Sequence, residues 1–195
     1  MNTPAHVAFN ALVLGRGRFQ PHWFAITAGA LLPDLPMVGF YLIERARGTP
    51  ERVIWGQLYF DPGWQSFFDA FNSLPLIALA ALFAWRAGAT QALAFLASMA
   101  LHCLVDLPLH REDAHAHFWP LTSWRFLSPI SYWDPRHGGA FFLAFELALL
   151  LAAPFVLRRR SRAWGRVGGV TLATSVLFGV FAAVSWSGAL GSPSP

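Results

Sequence analysis

Four apolar runs, residues 64–85, 89–109, 139–157 and 167–190, each approach the roughly 20 residues that a helix needs to cross a hydrocarbon core. Inside lipid the backbone must satisfy its own hydrogen bonds, so runs of this kind restrict the chain to helices. A fifth run, residues 22–43, is interrupted by Pro33 and Pro36, and a sixth, residues 3–14, is shorter, with Thr3 placed as N-cap and Pro4 at the first helical position. The expectation is an all-α, polytopic integral membrane helical bundle with five or six transmembrane segments, forming one domain over residues 1–195. Composition agrees: 55% of residues are hydrophobic and 12% charged, with a mean hydropathy of +0.45, against roughly 45–50% and 25% in soluble domains.

The net charge of +4 comes from 14 arginines and no lysine. These sit in short connections between the apolar runs, above all in "RRRSRAWGR" at 158–166, which reads as a topogenic signal with some attraction to anionic lipid and argues against nucleic acid as partner. If all six segments cross, residues 15–21, 86–88 and 158–166 share one side and carry 2, 1 and 5 arginines. Residues 44–63 and 110–138 share the other, where 3 arginines each are offset by Glu44, Glu51, Asp61, Glu112, Asp113 and Asp134. The first set is the expected cytoplasmic side. Nothing at the N-terminus resembles a cleavable signal peptide, and the single Cys103 excludes an intramolecular disulfide and a thiolate-rich zinc site.

On that topology the ionisable residues of the segments, His6, Asp34, Asp69, His102, Asp106 and Glu146, all fall toward the extracytoplasmic side. A carboxylate near the bilayer centre costs roughly 2.5–3.5 kcal/mol, so several together call for a cation, a metal or a water-filled cavity. The sharpest constellation is "LHCLVDLPLHRED" at 101–113, where His102, Asp106 and His110 recur at intervals of four and His102 and Asp106 share one helix face. Pro108 biases Leu107 out of the helix and places His110 beyond its end. In "GALLPDLPMVG" at 29–39, Pro33 and Pro36 lack the N–H groups that the carbonyls of Gly29 and Leu32 would accept, so the helix breaks around Asp34 and leaves acceptors free. Broken backbone of this kind lines protein or cavity, where sites form. His6, Asp34, His102 and Asp106 together offer two imidazoles and two carboxylates, a set suited to zinc, with manganese or iron as alternatives.

Several stretches resemble the bacterial membrane-bound predicted metal-dependent hydrolases, a family that includes an SOS-regulated inner-membrane protein. They are "TPAHVAFNALVLG" at 3–15, "AGALLPDLP" at 28–36, "FNSLPL" at 71–76, "ALHCLVDLPLH" at 100–110 and "HFWPL" at 117–121, within the first two thirds of the chain. The resemblance implies a metal held by His6, Asp34, His102 and Asp106 in a bacterial inner membrane. The chain departs from the family pattern at Pro36, where the family has a second Asp, and at Asn72 and Ser73, where it has Thr-His-Ser. The histidine-rich "HREDAHAHF" at 110–118 offers substitutes in His110, His115 or His117.

The long connection 110–138 carries Trp119, Trp124, Tyr132 and Trp133, rings suited to headgroup depth, and is expected to lie over the outer end of the bundle. Asp69 and Glu146 are left as catalytic candidates, either as general base or as partners that orient a ligand histidine. "GSPSP" at 191–195 reads as a disordered tail. The functional expectation is a metal-dependent hydrolase acting on a lipid ester or phosphoester at the membrane surface. Its rivals are a metal-stabilised membrane protein without catalysis and a transporter built on the broken helix, although no internal repeat supports the latter.

Overall fold

Residues 1–190 are described by a computed structural model, with side chains described through residue 176. Every regular element among the described residues is helical: α1 (Thr3–Leu14), α2 (Trp23–Leu31), α3 (Leu35–Ala46), α4 (Glu51–Gly56), α5 (Pro62–Phe71), α6 (Leu74–Arg86), α7 (Thr90–Asp106), α8 (Gly139–Arg158) and α9 (Arg162–Leu190). The sequence marks several starts. Asp61 accepts hydrogen bonds from the N–H groups of Gly63 at 2.9 Å and Trp64 at 3.3 Å, ahead of Pro62 at the first position of α5. Ser73 caps α6 through the Leu76 N–H. Thr3 is not the cap of α1. Asn2 holds that position, and the Thr3 hydroxyl is turned to Asp34.

The architecture is built around α1, which packs against α2, α7, α8 and α9. Ala5, Ala8 and Ala11 recur every third residue and are wholly buried, allowing close approach, while His6 and Asn10, four apart, are also wholly buried and carry the polar contacts. The Asn10 amide donates to the Ser98 carbonyl at 2.8 Å and hydroxyl at 2.9 Å, tying α1 to α7. Both ends of α1 are held by long-range partners. At the start, Glu146 of α8 accepts from the Asn2 N–H at 2.8 Å and its side-chain amide at 2.6 Å. At the end, the Arg160 guanidinium donates to the carbonyls of Ala11 (2.7 Å), Leu12 (2.8 Å) and Gly15 (3.2 Å), a cation placed where the last carbonyls and the helix dipole favour it. Part of the arginine run read as a topogenic signal is therefore a helix cap. Replacing Glu146 with Ala leaves buried donors at the start of α1 unpaired, and thermal unfolding in detergent is expected to show a loss of about 2 kcal/mol.

The number of crossing helices differs from the expectation. Among the described residues, two helical stretches, Pro62–Arg86 and Gly139–Arg158, are long and apolar enough to span, and the bent pair α2 and α3 makes a third if counted as one broken span. This is fewer than five or six. The 12 residues of α1 measure about 18 Å against a hydrocarbon core of about 30 Å, so α1 is too short to cross alone, and its Ala5–Ala8 turn is buried against its neighbours. With 17 residues, α7 falls just short. The expected span 167–190 runs past the residues whose side chains are described, and the tail 191–195 lies outside the described residues.

The break in residues 22–43 falls where the prolines place it: α2 ends at Leu31, α3 begins at Leu35, and the two are inclined by 52°. The Asp34 N–H turns to the Leu31 carbonyl at 3.2 Å, which deprives the Ala30 carbonyl of its helical donor. Gly29, one residue earlier, is where α2 crosses α7 most closely, since a Cβ there would sit 2.2 Å from the Phe95 carbonyl oxygen.

Candidate metal centre

The Leu32 carbonyl, expected to be free, keeps a partner in the Leu35 N–H at 3.2 Å, and other carbonyls at the break are taken up by side chains from elsewhere. The Ala30 carbonyl accepts from His102 Nδ1 at 2.8 Å, and the Pro33 carbonyl accepts from the Asn72 amide at 3.3 Å. The first of these bonds fixes the chemistry of His102. A carbonyl only accepts, so Nδ1 carries a proton and Nε2 is the nitrogen left to face the carboxylates. That nitrogen lies 3.0 Å from Asp106 Oδ2 and 3.4 Å from Asp34 Oδ1, with no hydrogen-bond partner among the described residues.

Around it, α1 supplies His6, whose ring stacks on His102 with centroids 3.7 Å apart and whose Nε2 is 2.8 Å from Asp106 Oδ1. The break supplies Asp34, its Oδ2 accepting from the Thr3 hydroxyl at 2.5 Å. His6 and His102 are wholly buried and Asp106 is 2% exposed. One donor atom from each of these three falls within 4.8 Å of the others. The Met1 main-chain nitrogen also reaches Asp106 Oδ1, at 2.7 Å.

Burial of this kind is costly unless the lone pairs and carboxylates are compensated. The donor set fits a divalent ion: imidazole nitrogen and carboxylate oxygen without thiolate, a total negative charge matching the ion's, and a ligand histidine whose other nitrogen donates to a backbone carbonyl.

His110 stands at the edge of this group. Leu107 keeps helical dihedrals (φ −50°, ψ −46°), so Pro108 displaces the chain less than expected and the His110 N–H still reaches the Asp106 carbonyl at 3.1 Å. Its Nε2 is 3.3 Å from Asp106 Oδ1 and its Nδ1 3.0 Å from Asp113 Oδ2. Burial alone would lower its pKa, but the Asp106 carboxylate outweighs burial and pushes it up to about 9. His110 thus faces both Asp106 and Asp113 at the edge of the group.

The other sequence candidates are occupied away from His6, Asp34, His102 and Asp106. Asp69 forms an ion pair with Arg125, at 3.1 and 2.5 Å, and accepts the Ala116 N–H at 2.9 Å. Glu146 is committed to Asn2. His115 Nδ1 lies 3.7 Å from Asp69 Oδ1, and His117 Nδ1 donates to the Asn72 carbonyl at 3.1 Å. Asn72 and Ser73 stand at the break between α5 and α6, where Ser73 also donates to the Trp119 carbonyl. The connection 110–138 thus folds back over the site end of the bundle.

Above the buried trio lies a cavity of about 430 Å³ whose wall includes Thr3, Asp34, Tyr59, His110, Asp113 and His115. Asp34 and His110 link it to the buried carboxylate. Sequence reasoning missed Ala30, Thr3 and Tyr59. The Ala30 carbonyl was the one with a signal, since it lies one turn before a residue flanked by prolines.

No family model, no curated protein and no solved structure matches this chain. The reading of the centre rests on its residues and their arrangement.

Proposed function

We propose that this chain is a metal-dependent hydrolase of a bacterial inner membrane, with a divalent ion held by His6, Asp34, His102 and Asp106. The observation that carries the reading is the buried Nε2 of His102, which faces the carboxylates of Asp106 at 3.0 Å and Asp34 at 3.4 Å. The chemistry such a centre supplies when loaded is Lewis-acid activation of water and of the group to be cleaved. Zinc is the first choice for this donor set, with manganese or iron behind it. Asp34 belongs to both the ligand set and the cavity wall, giving a substrate its route to the centre. His110, Asp113 and His115 line the same cavity and are better placed to move a proton than Asp69 or Glu146, whose oxygens are already held.

A lipid ester or phosphoester suits a cavity that Trp55 and Trp133 also line, at one end of an apolar bundle. The arginine-rich connections lie at the opposite end of α1, which supports an extracytoplasmic position for the centre. A second reading, a metal-stabilised membrane protein without turnover, is favoured by the full burial of His6 and His102. Assay of zinc-loaded protein in detergent against phospholipid, lysophospholipid and acylglycerol separates the two. Hydrolysis that falls on the order of 100-fold in His102→Ala and after chelation supports the enzyme. A wild-type protein that holds metal and cleaves none of them supports the second reading.

A further inference from the structure

At the far end of the bundle from the metal centre, α8 and α9 form a hairpin closed by two glycines. A Cβ on Gly165 would lie 2.9 Å from Arg158 Cβ, and one on Gly168 would lie 2.8 Å from Pro154 Cα. This close packing sets Arg158 beside Arg162 and Arg166 around a cleft of about 410 Å³. Arg162 and Arg166 are four residues apart on one helix face, a spacing at which like charges repel. Among the described residues the ion-paired arginines are Arg47, Arg111, Arg125 and Arg136, so these three have no carboxylate partner. Arg158 instead lies over the Phe155 ring, 5.3 Å from its centroid.

Arg166 also borders a second cavity, an apolar groove of about 510 Å³ between α1, α2 and α9 that runs past Trp23, Val167, Val170 and Leu31 to Thr3 and Pro4. One side chain is therefore shared by a strongly cationic cleft and an apolar groove that reaches the first turns of α1. We infer that this junction binds an anionic phospholipid, with its phosphate against Arg158, Arg162 and Arg166 and one acyl chain in the groove. The charge at the mouth selects an anion, and the groove behind it selects an anion that carries a hydrocarbon chain. Basic pockets between membrane helices hold lipid headgroups on the same principle. Arg160, equally basic, takes no part because its guanidinium is spent on α1. The arginine cleft shares no residue with the metal centre, and the groove meets the cavity above that centre at Thr3.

Native mass spectrometry of the full chain, delipidated in detergent and titrated with phosphatidylglycerol or phosphatidylcholine of matched acyl chains, tests this. The expected result is preferential retention of phosphatidylglycerol, weakened on the order of 30-fold in the exposed double variant Arg162→Gln/Arg166→Gln. Val170→Trp, which fills the groove from an exposed position, is expected to weaken it as well, whereas His102→Ala leaves it unchanged. Equal retention of both lipids, or wild-type retention by the arginine variant, overturns the site. Competition by millimolar inorganic phosphate as effective as that by lipid, or no effect of Val170→Trp, overturns the acyl-chain assignment and leaves a free-anion site.

Discussion

Replacing Asp106 with Ala is expected to cost the protein about 3–5 kcal/mol, the penalty for leaving buried ionic partners without their counter-charge. Asp106 is the residue on which the site end of the bundle converges: the Met1 nitrogen, His6, His102 and His110 all lie within 3.3 Å of its oxygens. These partners come from α1, from α7 and from the chain beyond α7, so the loss is not confined to one helix. Asp106→Asn keeps the shape and removes the charge, and is expected to lose most of the same stability. Thermal unfolding in detergent, with and without added zinc, reads the effect. Zinc is expected to raise the melting temperature of the wild type and to leave both variants unmoved.

The second large effect belongs to Gly29→Val. Even the first carbon of a side chain at this position would fall 2.2 Å from the Phe95 carbonyl oxygen and 2.9 Å from Ser98 Cβ. The helices must separate to admit it. Separation stretches the bond from the Ser98 hydroxyl to the Ile26 carbonyl, at 2.6 Å, and the bond from His102 to Ala30 that orients the imidazole. The expected loss is about 3 kcal/mol or more, from overpacking and hydrogen bonds together, with loss of metal as its second readout. Gly39 provides the control, because a Cβ there meets nothing within 4 Å. Gly39→Ala is expected to be neutral or to stabilise α3 by about 0.5–1 kcal/mol. Equal behaviour of the two variants would show that α2 and α7 do not depend on close approach at Gly29.

The polar skeleton of the site was legible because the rules that place it are local. Two prolines around Asp34 force a break, and a spacing of four puts His102 and Asp106 on one face. The partners of those residues were not legible. Nothing in the spacing says that His102 would take the Ala30 carbonyl, which depends on α7 crossing α2 at Gly29. The number of spans was less legible for a different reason. A helix apolar on every side is either bathed in lipid or enclosed by protein, and hydropathy alone does not distinguish them. In α1 the Ala5, Ala8 and Ala11 spacing is the residue-level sign of tight packing. Arg160 shows the same limit, since an arginine in a basic run reads as charge until the end of α1 is seen beside it. Asp69 and Glu146 were flagged because buried carboxylates are expensive, and both proved to have protein partners that meet the expense.

The measurement that bears most directly on the shared centre is metal content by elemental mass spectrometry, on detergent-purified protein in chelator-washed buffers, wild type beside His102→Ala. Convergence of His6, Asp34, His102 and Asp106 on one ion predicts about one zinc, manganese or iron per wild-type chain and background levels in the variant. Background metal in the wild type, or equal metal in both proteins, would contradict it and would leave the buried imidazoles and carboxylates as a hydrogen-bonded network without an ion.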